Sequence, residues 1–292
     1  MRKIDPDTLE KIEALIEEQD IDLDPYALEK DFHVFEAIKA VSSLPDSTDF
    51  RLVFCGGTCL EKAHGLLGRM SEDVDFKVVP TEACQGLSKS ALRKKLGNLA
   101  ESVTERLSEA GFGKERIGRR SRDENRYSMF TIPYESGFDR PGAFRSELLV
   151  ELNYTPLARP SAAMNIGILF DKLERGDYLD SISLPCVSLD EAYVEKLVSF
   201  PRRLAMDLSR NGGTLSDRWD DTLVRHLYDV FRIRAFRPEA VHDSAGLKEI
   251  FDRVIRKDAD DFADQHPEFQ EDFRDQIARA METARTLPLI RN

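Results

Sequence analysis

The sequence predicts an α+β fold in which a sheet with flanking helices is followed by a mostly helical C-terminal domain. In the first part of the chain, short β-rich segments alternate with helical patterns. Helical periodicity dominates after the pair Arg159 and Pro160. The transition from mixed strand and helix patterns to mainly helical ones falls between residues 160 and 188. We assign residues 1–160 to the first domain and residues 161–292 to the second.

Three longer helices and four strands are expected in the first domain. The helical patterns cover residues 6–18, 27–41 and 87–110, and the last of them ends at Gly111, a residue typical of a helix C-terminus. The strand patterns are FRLVF (50–54), DVDFKVV (73–79), RYSMFTIPY (126–134) and FRSELLVELNYT (144–155). A short helix, CLEKAHGLL (59–67), connects the first two strands, and the last two are expected to be antiparallel neighbours.

The second domain contains one further strand-like segment, YLDSISLPCVS (178–188), and four helical patterns. The helical patterns are LDEAYVEKLVSFPRRLAM (189–206), DRWDDTLVRHLYDVFRI (217–233), AGLKEIFDRVIRKDADDFA (245–263) and EFQEDFRDQIARAMETAR (268–285). Each carries apolar residues at helical spacing, as expected for amphipathic helices that share a core.

Composition places the chain among globular proteins. Of its 292 residues, 41% are hydrophobic and 33% are charged, which leaves no segment typical of disorder. The chain starts on an acidic helical segment without an apolar leader, and no apolar run is as long as a membrane span. The four cysteines match no zinc-binding spacing, so we expect free thiols in a cytoplasmic protein.

The charge is unevenly distributed. A net charge of −12 argues against a general nucleic-acid coat protein, because nonspecific affinity depends on neutralising phosphates. The segment Lys89–Arg126 has the opposite sign, with 11 Lys and Arg against 6 Asp and Glu. Two interpretations stay open: a binding surface for a polyanion such as RNA, or a solvated helix followed by a basic loop.

Two aspartates in the strand DVDFKVV are candidate metal ligands. Side chains alternate between the faces of a strand, so Asp73 and Asp75 point to one face while Val74 and Phe76 point to the core. Adjacent carboxylates repel each other unless a cation lies between them. Mg²⁺ prefers oxygen ligands and shares them with substrate phosphates. The alternative is a pair of ordinary surface acids.

The segment Gly56-Gly57-Thr58 follows the first strand directly. Glycines allow the backbone to approach a phosphate closely, and the N–H groups at the start of the following helix can bind an anion. Thr58 adds a hydroxyl donor. Together with the two aspartates and the strand–turn–helix–strand order, this segment predicts phosphoryl or nucleotidyl transfer.

Glu151 is a candidate third carboxylate. It lies in the strand-like segment ELLVELNY, which is expected to neighbour the strand of the aspartates. If the two strands pair in the matching register, Glu151 completes a metal-binding triad and helps to deprotonate an attacking hydroxyl. The alternative is that Glu147 and Glu151 line the solvent face of their strand.

The run GGTCLEKAHGLLGRMSEDVDF (56–76) resembles the first motif of the DNA-polymerase-β-like nucleotidyltransferases. Within them it is most similar to the AbiEii/AbiGii-type toxins of bacterial toxin–antitoxin systems, a group that includes the MenT toxins. Three further segments fit that group: ALEKDFHVFEAI, DEAYVEKLVSFPRRL and RHLYDVFRI. The resemblance extends from Leu28 to Ile233.

This resemblance implies a nucleotidyltransferase-fold mixed sheet and an enzyme that transfers a nucleoside monophosphate from an NTP, with Mg²⁺, releasing pyrophosphate. The implied acceptor is the 3′ end of tRNA, so that the product blocks translation, and the implied protein partner is a cognate antitoxin. Two alternatives remain: the same chemistry on a protein or small molecule, and a nucleotide-binding protein without catalysis.

The resemblance also implies roles for individual residues. The triphosphate would be held by Gly56, Gly57, Thr58 and Lys196, the Mg²⁺ by Asp73 and Asp75, and the site would be completed by Asp229. His226 stands where many relatives have an acid.

Three residues lie outside these implied roles. Arg69 precedes the aspartates, and its guanidinium suits a phosphate or a carboxylate. Lys30 and Asp31 form either a local ion pair of little energetic weight or part of the site.

Overall fold

The computed structural model describes residues 2–45, 47–67, 70–142, 144–217, 219–261 and 268–286. The chain divides into two compact units, Met1–Val187 and Ser188–Asn292. None of the helices within the described ranges is long and apolar enough to cross a membrane.

The first unit is built on a sheet to which the described residues contribute seven strands. The strands are β1 (Phe50–Cys55), β2 (Asp73–Pro80), β3 (Gly118–Arg122), β4 (Tyr127–Pro133), β5 (Glu147–Tyr154), β6 (Ala162–Gly167) and β7 (Ser181–Cys186). Their order across the sheet is β3-β4-β5-β2-β1-β7-β6. The β2–β5 and β1–β7 pairs are parallel and the other four pairs are antiparallel, so the sheet is mixed, as predicted.

In the described residues of this unit, five α-helices accompany the sheet: α1 (Pro6–Gln19), α2 (Pro25–Ser42), α3 (Gly56–Lys62), α4 (Lys89–Glu109) and α5 (Leu169–Arg175). Side-chain caps define where the longer ones begin. Asp5, Asp24 and Ser88 each accept a hydrogen bond from a backbone N–H in the first turn of α1, α2 and α4. A proline follows each of the two aspartates, and its fixed φ suits the first helical position.

Alternation along the central strands separates a buried face of the sheet from a more polar one. Val74 and Phe76 of β2, and Val150 and Leu152 of β5, are buried. The residues between them, which include Asp75 and the other candidate carboxylates, are partly exposed. Burying apolar side chains on one face of the sheet therefore fixes the direction of the acids on the other.

The second unit is helical, as predicted. Its helices in the described residues are α6 (Leu189–Arg210), α7 (Arg225–Phe236), α8 (Ser244–Asp261) and α9 (Glu268–Ala284). Helix α6 packs against the other three. Phe200, Leu204 and Leu223 lie in a buried cluster together with Ala280 of α9.

The division between the units lies later than residue 160, where the sequence analysis placed it. Residues 161–187 form β6, α5 and β7, and β7 pairs with β1, so this segment belongs to the sheet of the first unit. Strand β3 also differs from expectation, because its sequence suggested a basic loop. All five residues of β3 are exposed, so it carries no apolar alternation that could reveal a strand.

Of the two interpretations left open for Lys30 and Asp31, the local ion pair is not what the structure shows, because each residue has a buried partner far along the chain. Lys30 Nζ lies 2.5 Å from Glu72 Oε2, and Lys62 Nζ lies 2.5 Å from Asp31 Oδ1. The two pairs connect α2 to the residue before β2 and to the end of α3. They fix the two segments that carry the glycine turn and the aspartates.

Candidate active site

Gly56 lies against the carboxylate of Asp75. Its φ is +77°, and a Cβ placed on it would lie 2.0 Å from Asp75 Oδ2. The antiparallel register explains this approach, because Cys55 of β1 pairs with Asp75 of β2 and the chain then turns into α3. Position 56 therefore requires glycine for both its conformation and its contact.

Thr58 joins the glycine turn to the start of β2. Its side chain is fully buried and its hydroxyl donates a hydrogen bond to the backbone carbonyl of Asp73. Helix α3 has only seven residues, so it adds little macrodipole to the site. In this arrangement the Thr58 hydroxyl positions Asp73. The triphosphate role that the resemblance implies for Gly56, Gly57 and Thr58 stays a prediction.

The candidate carboxylates lie on one face of two neighbouring strands. Asp73 and Asp75 alternate with the buried Val74 and Phe76. In the parallel β2–β5 pair, Asp75 is the register partner of Glu151, so these two residues point to the same face. The register that the third-carboxylate hypothesis requires is present.

Asp73 is paired with an arginine that the sequence analysis did not identify. Arg145 Nη1 lies 2.6 Å from Asp73 Oδ1. Burial raises the pKa of Asp73, and the charge of Arg145 opposes this shift. The guanidinium thus compensates the negative charge of Asp73, whose pKa the neighbouring Glu72 raises as well.

Tyr127 of β4 contacts the third carboxylate. Burial raises the pKa of the Tyr127 phenol, and the charge of Glu151 and its hydrogen bond with the phenol raise it further. The phenol is therefore protonated and donates to Glu151.

The backbone of Arg145 is held by the buried polar groups of α2. Its carbonyl accepts hydrogen bonds from Lys30 Nζ at 2.7 Å and from the Tyr26 hydroxyl at 2.8 Å. Its N–H donates to Glu72 Oε2 at 3.1 Å. The Lys30–Glu72 pair therefore fixes the backbone of Arg145, whose side chain reaches Asp73.

The donor set fits Mg²⁺ bound together with a substrate. Within the described ranges, no three or more His, Cys, Asp or Glu side chains are arranged to hold a metal ion by themselves. Mg²⁺ commonly takes one or two carboxylates and completes its octahedron with water and substrate phosphates. Asp73 and Asp75, next to a turn that a phosphate can approach, supply such a pair. Glu151 is engaged by Tyr127.

In the second unit, two predicted residues come together. Lys196 Nζ of α6 lies 3.1 Å from Asp229 Oδ2 of α7, and Asp229 is fully buried. His226 lies one turn before Asp229 on α7. The roles implied for Lys196 and Asp229 stay predictions. Arg69 lies outside the described residues.

A cavity of about 440 Å³ lies away from the carboxylates. It opens between α4 and the segment before β1, and its lining includes Asp49, Phe50, Lys95 and Asn98. Asp49 and Phe50 lie at the start of β1, whereas the glycine turn follows its end. The carboxylates and the glycine turn define the candidate site here, and the cavity does not.

Sequence reasoning missed Arg145, Tyr127 and Glu72. Arg145 precedes the strand that carries Glu151, and a parallel pairing of β5 with β2 brings the residues before both strands together. That pairing was the signal that could have indicated Arg145 and Glu72. The expected neighbour relation between β4 and β5 could have indicated Tyr127.

Comparison with known proteins identifies the family. A family model described as the nucleotidyl transferase AbiEii toxin of a type IV toxin–antitoxin system matches residues 41–290. No curated protein matches the chain. Among solved structures, the chain is similar to MenT4, a nucleotidyltransferase toxin from Mycobacterium tuberculosis H37Rv, at 21% identity over 93% of this chain and 98% of that one, with a TM-score of 0.44.

The family match extends beyond the resemblance seen in the sequence, which ended at Ile233. Residues 234–290, which the motifs did not cover, are included in it. Because the match covers most of the chain, the protein belongs to the AbiEii family of nucleotidyltransferase toxins.

Proposed function

We propose that the protein transfers a nucleoside monophosphate from an NTP to the 3′ end of tRNA, in a reaction that depends on Mg²⁺, and that the product blocks translation. Family membership supports the nucleotidyltransferase chemistry and implies a cognate antitoxin. The observation that carries the proposal is the cluster of Asp73, Asp75 and Glu151 on one sheet face beside Gly56.

In the proposed reaction, the 3′ hydroxyl of the acceptor attacks the α-phosphorus of the NTP in line with the departing pyrophosphate. The new P–O bond forms as the bond to the β-phosphate oxygen breaks. Gly56 and Gly57 let the backbone approach the triphosphate.

Asp73 and Asp75 would hold Mg²⁺, which on binding supplies positive charge to the phosphate oxygens. Arg145 is a further cation at this point, 2.6 Å from Asp73 in the structure. Glu151 would accept the proton of the attacking hydroxyl, and its hydrogen bond from Tyr127 would orient the carboxylate.

The decisive experiment incubates the purified protein with each of the four labelled NTPs, Mg²⁺, and a mixture of total RNA and cell protein. Label in tRNA is the expected result. Label in protein or in another RNA would identify that molecule as the acceptor in place of the tRNA 3′ end. No transfer with any NTP would contradict the proposed enzymatic function.

Replacing the aspartates tests the metal assignment. Asp73→Asn and Asp75→Asn should each lower the transfer rate by at least about 100-fold, because an amide cannot bind Mg²⁺ as a carboxylate does. Binding of Mn²⁺ in the presence of NTP, followed by its paramagnetic resonance signal, should weaken in parallel. Asp180→Asn, which removes an exposed acid paired with Lys39, is the matched control and should leave both quantities unchanged. Full activity in either aspartate variant would refute the metal assignment.

A further inference from the structure

The cations of the basic segment Lys89–Arg126 fall into two groups that differ in the partners of their side chains. Several of its cations are matched by acids of α4. Lys114 Nζ lies 3.7 Å from Glu101 and 3.9 Å from Glu105, and Arg119 lies 3.7 Å from Glu101. These cations face α4 and are locally compensated, so they offer little net charge to a polyanion.

Strand β3 carries its arginines on both faces of the sheet. Arg119 and Ser121 point toward α4 and the buried face, where Ser121 contacts the buried Ser128. Arg120 and Arg122 must therefore point to the opposite face, because side chains alternate along a strand. Both are exposed, and Arg120 forms no ion pair with any other residue that the structure describes.

The register places Arg120 in line with the candidate active site. Across the sheet, Arg120 pairs with Met129, Met129 with Glu151, and Glu151 with Asp75. Residues paired in this way share one face, so Arg120 lies on the face of the carboxylates. Three interstrand spacings of about 4.8 Å put it about 14 Å from Asp75.

Arg122 extends the same face. Its guanidinium lies 4.0 Å from the centre of the Tyr127 ring, and the Tyr127 phenol contacts Glu151. Its nearest acid is Asp123, at 3.7 Å in an exposed turn, which gives little compensation. Two residues along a strand separate Arg120 and Arg122 by about 7 Å.

We propose that Arg120 and Arg122 bind the phosphate backbone of the acceptor RNA strand as it approaches the carboxylates. This inference rests on the proposed function. The distance of about 14 Å corresponds to about four nucleotides of a stacked strand at ~3.4 Å each. The two guanidiniums would hold phosphates of this strand through paired hydrogen bonds, and the Arg122–Tyr127 stack offers a planar surface to an unpaired base. The ligand class is a single-stranded RNA 3′ tail with an adjoining helix.

The test compares two double variants that remove the same charge from opposite faces. Arg120→Ala/Arg122→Ala removes the arginines of the carboxylate face, and Lys114→Ala/Arg119→Ala removes the cations that face α4. Binding of deacylated tRNA is measured by filter retention without NTP and at several salt concentrations, so the result does not depend on whether transfer occurs.

For Arg120→Ala/Arg122→Ala we expect the Kd for tRNA to rise about tenfold. The slope of log Kd against the logarithm of the salt concentration should decrease by about 2, as expected for two lost phosphate contacts. The KM for tRNA should rise similarly, while the KM for NTP changes less than about twofold. The Lys114→Ala/Arg119→Ala protein should bind tRNA within about twofold of the wild type.

Two outcomes would overturn the inference. One is equal loss of tRNA affinity in both double variants, which would indicate a general charge effect. The other is wild-type affinity in Arg120→Ala/Arg122→Ala. Self-association of that variant in size-exclusion chromatography would then assign the two arginines to preventing strand pairing between molecules. If the proposed function is wrong, the result is a different one: the wild-type protein labels no tRNA.

Discussion

At the scale of single residues, Gly56 gives the sharpest prediction. Gly56→Ala places a methyl group where Asp75 Oδ2 now lies and forces alanine to φ +77°. We expect nucleotidyl transfer to fall by at least about 100-fold, because Asp75 must move, and the free energy of unfolding to fall by at least about 1–2 kcal/mol through backbone strain. Chemical denaturation and the transfer assay measure the two effects.

The matched control is Gly65→Ala. Gly65 has a similar φ of +64°, but among the residues that the structure describes, its chain neighbours aside, no atom lies within 4 Å of the added Cβ. This variant should lose a similar strain energy and keep its activity. Equal activity loss in both variants would show that backbone conformation alone, and not displacement of Asp75, accounts for the effect.

The sequence predicted those site residues whose position follows from neighbours in the chain. Alternation placed Asp73 and Asp75 on one face, and the glycine turn followed from the β1 pattern. Arg145 was missed, because its contact with Asp73 joins residues 72 positions apart and follows only from the parallel pairing of β5 with β2. Thr58 was identified, but its buried hydroxyl bonds to the Asp73 backbone, a contact that only the folded turn creates.

At the scale of secondary structure elements, helix α2 is held to the sheet by buried charges as well as apolar packing. Lys62→Met should lower the free energy of unfolding by about 3–5 kcal/mol, because it leaves the carboxylate of Asp31 buried without its cation. The Asp31 and Lys62 side chains are 1% and 2% exposed. Urea denaturation followed by circular dichroism measures the loss.

Lys39→Met is the control on the same helix. Lys39 pairs with Asp180, but the side chains are 44% and 58% exposed, so its loss should change stability by less than about 1 kcal/mol. The double variant Asp31→Leu/Lys62→Met should recover part of the stability lost in Lys62→Met. If Lys62→Met and Lys39→Met lower the free energy of unfolding by the same small amount, the buried Asp31–Lys62 pair stabilises the fold no more than the exposed Lys39–Asp180 pair does.

The elements that sequence patterns missed share a physical cause. Strand β3 is exposed along its whole length, and β6, at the other edge of the sheet, exposes three of its six residues. Neither strand shows the alternation that a half-buried strand imposes. Helix α5 has only seven residues, too few for a clear helical period. The long helices and the central strands were predictable because burial forces their apolar residues into a regular spacing.

At the scale of the whole molecule, a buried histidine should make stability depend on pH. His33 is fully buried, and neither of its ring nitrogens has a hydrogen-bond partner among the residues that the structure describes. Burial, assisted by the charges of Arg2 and Lys30, lowers the pKa of His33 from 6.5 to about 3. The folded protein therefore keeps the imidazole neutral while the unfolded chain takes up a proton.

Because the unfolded state binds more protons between pH 6.5 and 3, stability contributed by neutral His33 is complete above pH 6.5 and falls as the pH drops. At pH 5 the expected loss is about 2 kcal/mol. Denaturation at several pH values should show a flatter profile for His33→Leu over this window. The exposed His242, replaced in the same way, should leave the profile unchanged, and an unchanged slope in His33→Leu would contradict the prediction.

The buried ion pairs of α2 also bear on how the protein can be shortened. The family match begins at residue 41, whereas Lys30 and Asp31 lie before it. A chain trimmed to the matched residues would keep Glu72 and Lys62 and lose both of their partners. It would also lose the two donors that hold the carbonyl of Arg145. A fragment chosen by family boundaries alone would therefore contain every candidate carboxylate and lack the framework that orients them.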